Sequence, residues 1–210
     1  MNITKYPQSC LLIEQKSSRI LIDPGSFVYE KYSVTDLGKI DLILITHEHF
    51  DHLDTSLISE LYKMQRPEIW ANASVAKLIP NYISKIIDKD GCFNFKDIKI
   101  QTINIPHMAL PTGEPEPENT AYIIDDILFH PGDGVGRPAG SINTMALPLA
   151  GPDISPKGVV DFVKLVKPKA VIPVHYDFWP AKPAMFGKLI EPLAKYYYLN
   201  DGESIEIEKI

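Results

Sequence analysis

Apolar and polar positions along this 210-residue chain follow two rhythms. Short β-branched and aliphatic runs recur at residues 10–14, 19–23, 41–46, 68–71, 98–105, 120–125, 127–130, 144–149, 170–174 and 196–199, and they predict strands. Stretches with apolar residues at helical spacing lie between them, at 55–64, 74–87, 156–166 and about 182–197, and these predict helices. The run Asp41-Leu42-Ile43-Leu44-Ile45 is apolar in succession rather than alternating, so both of its faces need cover, as when helices flank a sheet. The helix at 156–166 passes through Lys167-Pro168-Lys169 into the strand at 170–174, an αβ unit. The class is α/β, and residues 1–210 read as one domain with no repeat, low-complexity tract or interdomain linker. The acidic, Pro-rich stretch at 111–117 is a loop inside the fold, either solvated or edging a site.

Composition narrows the function classes. With 45% hydrophobic and 23% charged residues the chain is an ordinary globular one. At this length it buries roughly 70% of its unfolded surface, so a metal site would serve function rather than hold the fold together. A net charge of −6, with no Lys/Arg block longer than a pair, argues against nucleic-acid binding. No apolar run reaches the roughly 20 residues that span a bilayer, and the polar N-terminus lacks a signal-peptide pattern, so the expectation is a cytoplasmic protein without membrane insertion. Cys10, in an apolar run, and Cys92, in a Gly91-Cys92 turn, form no CxxC and read as reduced, with Cys10 in the core. The 18 prolines, nearly twice the usual share of about 5%, imply many rigid turns.

The chemistry is concentrated in histidine. Three of the six histidines lie in His47-Glu48-His49-Phe50-Asp51-His52, directly after the 41–46 strand. In strand geometry His47 and His49 point to the same side, and Asp51 and His52 fall where the chain turns into the helix starting at Thr55, from which they can reach a neighbouring ion. A two-metal site, with ions roughly 3.5–4 Å apart, follows naturally and needs further ligands. His107, Asp133 and His175 each stand just beyond an apolar strand, where open α/β sheets place their sites. The residues alone leave open which ligand serves which ion.

The HEHFDH segment fits an HxHxDH signature. With the later His107, Gly132-Asp133 and His175, the chain resembles the metallo-β-lactamase fold superfamily over nearly its whole length. Residues 147–152 and 167–177 look like its small single-domain branch, which contains ascorbate-6-phosphate lactonase-like and N-acylphosphatidylethanolamine phospholipase D-like hydrolases. The resemblance implies an αββα sandwich of two mixed sheets flanked by helices. It assigns His47, His49 and His107 to one ion, Asp51, His52 and His175 to the other, and Asp133 to a bridge. It also implies that Asp23, in Ile22-Asp23-Pro24-Gly25, buttresses the metal histidines.

The expected activity is metal-dependent hydrolysis of a small cytoplasmic ester, lactone or phosphodiester, with a phosphorylated or lactone-ring metabolite favoured. Two divalent ions, Zn²⁺ first with Mn²⁺ or Fe as alternatives, are the expected cofactors. Asp51 is expected to orient the attack, and His130, three residues before Asp133, to act as general acid or as donor to a carboxylate. Asp54 reads as a helix N-cap. Tyr176 and Asp177 are expected at the mouth of the site, with Phe178, Trp179 and Pro180 as its apolar wall. Glu114, Glu116 and Glu118 weigh against a highly anionic substrate unless their loop points away. The expected partner is a small molecule, and a homo-oligomer stays open. Rival readings are an iron oxidoreductase on the same ligand frame, and a non-catalytic metal-binding module.

Overall fold

The computed structural model describes residues 1–178 and 181–208. In chain order the first half builds β1 (Asn2–Lys5), β2 (Leu11–Gln15), β3 (Ser18–Ile22), α1 (Ser26–Tyr29), α2 (Val34–Leu37), β4 (Leu42–Ile45), α3 (Thr55–Gln65), β5 (Glu68–Ala71), α4 (Ala73–Leu78) and β6 (Lys85–Ile86). The second half follows with β7 (Gly91–Phe95), β8 (Ile98–Asn104), β9 (Thr120–Ile124), β10 (Leu128–His130), β11 (Thr144–Pro148), α5 (Pro156–Val166), β12 (Ala170–Val174), α6 (Pro183–Ile190), β13 (Lys195–Tyr196) and β14 (Ser204–Glu206). Two seven-stranded sheets result, ordered β14-β1-β2-β3-β4-β5-β6 and β13-β12-β11-β10-β9-β8-β7.

The two sheets share one topology. From β14 to β6 the pairings run antiparallel three times and then parallel three times. From β7 to β13 the same order recurs. Local chemistry repeats with it. The β2–β3 hairpin turns on Lys16 and Ser17, and the β9–β10 hairpin on Asp125 and Asp126, each pair having two consecutive positive φ values. Both α3 and α5 begin on a side-chain cap, from Asp54 and Ser155, and end on a left-handed residue, Arg66 and Lys167, followed by proline.

Burial explains the unbroken apolar strands. Leu42 and Leu44 of β4 pack between the sheets, with Ile20 and Ile22 on their own side and Tyr122, Ile124 and Ile172 opposite. Ile43 and Ile45 face outward and are covered by Leu57, Ile58 and Leu61 of α3 and Val75 of α4. The second sheet is covered the same way, with Val159, Phe162 and Val163 of α5 and Phe186 and Ile190 of α6 over Met145, Leu147 and Val171. The layers are helix, sheet, sheet, helix, which is the αββα sandwich that the resemblance implies.

Two helices are shorter than the periodicity predicts. The 74–87 stretch is helical only through α4, because Pro80 lacks an amide proton and disfavours helical geometry before it; β6 follows. Pro192 likewise ends the 182–197 stretch at α6, and β13 follows. Cys92 lies in β7 and is exposed rather than in a turn, while Cys10 is buried.

Candidate metal centre

Four loops at the carboxyl ends of strands converge on one edge of the sandwich. After β4 the chain turns tightly, with the amides of His52 and Leu53 donating to the His49 carbonyl at 2.9 and 2.8 Å. Gly25 lets the loop after β3 pass against this turn, since a Cβ there would stand 2.1 Å from the Asp51 carbonyl oxygen. His107, beyond β8, bridges to Gly134, and the Met108 amide donates to the Asp133 carbonyl at 2.8 Å. Gly132, at φ 61°, carries the chain past Asn119 where a side chain has no room. His175 follows β12 at φ 58°, and its amide donates to the Gln8 carbonyl at 3.0 Å.

All seven predicted ligands come together, in two groups: His47, His49, His107 and Asp133, and Asp51, His52 and His175. Asp133 touches both, with one oxygen 3.2 Å from His52 Nε2 and the other 3.1 Å from His175 Nε2 and 3.6 Å from His107 Nε2. His175 Nε2 is also 3.3 Å from Asp51 Oδ2. Bond lengths of about 2.0–2.2 Å to a tetrahedral cation place its ligand atoms about 3.4 Å apart, so these separations suit a shared ion.

Hydrogen bonds fix which ring nitrogen each histidine offers. The Asp23 carboxylate accepts from the Thr46 amide and from its hydroxyl, both at 2.8 Å, and from His52 Nδ1 at 2.7 Å. The Thr46 hydroxyl, its proton given to Asp23, accepts from His47 Nδ1 at 3.0 Å. His107 Nδ1 donates to the Met108 carbonyl at 2.6 Å, and His175 Nδ1 to the Ala150 carbonyl at 2.8 Å. Each of the four rings therefore turns its Nε2 into the site, where that of His47 meets His49 Nδ1 at 3.1 Å. His52 Nε2, His107 Nε2, His175 Nε2 and Asp133 Oδ1 are buried and have no hydrogen-bond partner. Orphaned lone pairs in a buried space are costly unless something binds them, and a cation does.

Electrostatics agree. Burial, then the neighbouring His52, push His47 well below the ordinary imidazole range, and burial and His107 lower His49, so both are neutral as ligands must be. Burial also opposes charge on His52 and His175. Asp133 and Asp51 outweigh it, raising His52 strongly and His175 to about 9. Burial likewise opposes the carboxylates, yet His52 and His175 hold Asp51 and Asp133 well below the usual range. Positive charge is required here, and protons and cations compete to supply it.

Other predicted residues are placed differently. His130 is fully buried, its Nε2 donating to the Ser9 carbonyl at 2.8 Å and its Nδ1 accepting from the Gly132 amide at 3.2 Å. Both ring nitrogens are spent on backbone and the ring does not line the cleft, so the general-acid reading is corrected to a positioning one. Its acceptor is a carbonyl, not a carboxylate. Asp54 caps α3 by accepting from the Leu57 amide at 2.8 Å. Tyr176 packs under Lys5, and Asp177 accepts from the Gln8 amide, so neither stands at the mouth. Phe178 does line the cleft, whereas Trp179 and Pro180 lie outside the described residues.

Gln8 was not foreseen. Its side chain donates to Asp51 Oδ2 at 2.7 Å and accepts from the Asp177 amide at 3.0 Å, tying the β1–β2 loop to two ligand loops. A polar residue at φ 59° between Pro7 and Ser9 carries no sequence pattern that singles it out.

A cleft of about 260 Å³ opens over the ligands, lined by His49, Phe50, Asp51, Glu114, Pro152 and Phe178 among others. Leu110, Pro111, Thr112 and Glu114 put the 111–117 stretch at its rim.

The beta-lactamase superfamily domain matches residues 2–175. Protein Rv0786c of Mycobacterium tuberculosis is 29% identical, covering 91% of this chain and 92% of its own. A UPF0173 metal-dependent hydrolase of Pyrococcus furiosus is 30% identical, with 91% and 93% covered. Among solved structures, Igni18, a metallo hydrolase from Ignicoccus hospitalis, superposes with a TM-score of 0.77 at 21% identity, with 99% of each chain covered. The chain belongs to the beta-lactamase superfamily, and its family there is that of the UPF0173 metal-dependent hydrolases.

Proposed function

We propose that this protein is a dinuclear metal-dependent hydrolase of a small ester, lactone or phosphodiester. The observation that carries the reading is the set of buried, unpartnered ligand atoms around Asp133, whose histidines are anchored through their other nitrogens. His47, His49 and His107 would hold one ion, Asp51, His52 and His175 the second, with Asp133 between them. Two divalent ions bound there supply a nucleophile at neutral pH and polarise a carbonyl or phosphoryl oxygen. Asp51, fixed by Gln8 and open to the cleft, is placed to orient the attacking water.

The donors are nitrogen and oxygen, so zinc is the first choice, with manganese or iron on the same set. No helix among the described residues is long and apolar enough to cross a membrane. Two free cysteines, one of them exposed, suit action on a small molecule in the reducing cytoplasm.

The test is hydrolysis of simple lactones, carboxylic esters and phosphodiesters before and after exhaustive chelation. Turnover should vanish with the metal and return with added zinc or manganese. Hydrolysis that survives in metal-free protein contradicts the reading, and iron together with oxygen uptake would move the assignment to the oxidoreductase.

A further inference from the structure

We infer that the cleft selects neutral acyl substrates, esters or lactones, carrying an apolar arm, and that Phe50 and Phe178 recognise that arm; the inference rests on the hydrolytic reading above. The cleft is lined by polar groups, His49, Asp51, His107, Asp133 and His175, and by apolar ones, Phe50, Leu110, Pro111, Pro152 and Phe178. Phe50 stands between His49 and Asp51 in sequence and Phe178 three residues past His175, and both line the same cleft as those polar groups. Both rings are large and keep much of their surface exposed, 53% and 45%. They are nevertheless held in place. Phe50 and Phe178 meet edge to face at 5.3 Å, and Phe27 packs against them at 6.2 and 6.1 Å. A shelf of preorganised rings beside buried polar ligands is how small-molecule sites divide orientation from affinity.

Charge excludes the alternative. None of the described residues lining the cleft is Lys or Arg, and the one charged side chain there besides Asp51, Asp133 and the histidines is Glu114. Bound ions can answer charge at the scissile bond. A phosphate or carboxylate carried elsewhere on the substrate would find no cation and would face Glu114. Of the phosphorylated or lactone-ring metabolite that the sequence favoured, this keeps the lactone and sets aside the phosphorylated one.

The experiment uses the metal-loaded protein and straight-chain alkyl hydroxamates as probes, titrated by calorimetry. Each methylene buried on the shelf should tighten binding about fourfold, so affinity should rise on the order of a hundredfold from acetohydroxamate to hexanohydroxamate. In the Phe50→Ala, Phe178→Ala double variant that gradient should fall below about tenfold while metal content is retained. A flat series in the native protein overturns the apolar shelf even where esters are hydrolysed. In parallel, kcat/KM for an alkyl lactone should exceed that for the same lactone bearing a terminal phosphate by at least about tenfold, and the reverse order overturns the substrate class. Chain-dependent hydroxamate binding with no turnover of any ester or lactone would refute the hydrolytic reading, and the substrate class with it, while leaving the shelf in place.

Discussion

At Asp23 one buried carboxylate accepts three hydrogen bonds, two from Thr46 and one from His52, and through Thr46 it also orients His47. An amide there would set a donor against a donor. Asp23→Asn should therefore weaken metal binding by about 10–100-fold, measured by competition with a chelator of known affinity, because outer partners of metal histidines typically contribute that much. Equal affinity in the variant would show that Asp23 does not orient these rings. His130→Ala should leave the shape of the pH–rate profile intact. The variant loses two backbone bonds in a buried place and should be less stable by about 2–4 kcal/mol in urea denaturation. Loss of one limb of the profile would restore the general-acid role. These residues also show what a sequence can carry. The seven candidate ligands, which the structure brings together, were legible because they are coordinating residues in loops that follow apolar strands. The direction of His130, on the same chain segment as Asp133, was not, since adjacency does not say which way a ring points. Gln8 acts through tertiary contacts alone and left no pattern.

Among the elements, β1 depends on an ion pair. The Lys5 side chain is fully buried, bonded to Asp201 at 2.6 Å and stacked over the Tyr176 ring at 4.6 Å, and this joins β1 to the turn before β14. Burial works against the Asp201 carboxylate, but Lys5 and Lys31 lower its pKa below the usual value. A depressed carboxylate stabilises the fold above its unfolded pKa of about 3.9, and that contribution is lost as pH falls through the lower folded value. Asp201→Asn leaves a buried ammonium without its counter-charge and should cost about 3 kcal/mol at pH 7. The gap between native and variant in urea midpoints should narrow below about pH 4; a gap that persists there contradicts the ion-pair account. Neither β1 nor β14 was read from the sequence, because strands of three or four residues give too short an alternation. The overlong helices erred for a different reason. Helical spacing continued past Pro80 and Pro192, and proline decides where it stops.

For the whole molecule, duplication is the feature that sequence concealed. Each sheet pairs its strands antiparallel and then parallel, and each is covered by an 11-residue helix ending in a left-handed residue before proline. Very different side chains satisfy a strand that need only be apolar on both faces, so topology can repeat where residues do not. The same tolerance explains why periodicity reached only α/β, and why the facing of two sheets came from a family resemblance. The sandwich matters to function because its shared edge gathers loops from both halves. The loop after β4 supplies four candidate ligands and those after β8, β10 and β12 one each, and Asp133 sits where the two groups meet. The central claim is that Asp133 joins two metal positions. Its most direct test is elemental analysis of native protein and Asp133→Ala, both purified without chelator or a metal-binding tag. The account predicts about two metal equivalents in the native protein and well under one in the variant. A single equivalent in the native protein, or two retained by the variant, would contradict it.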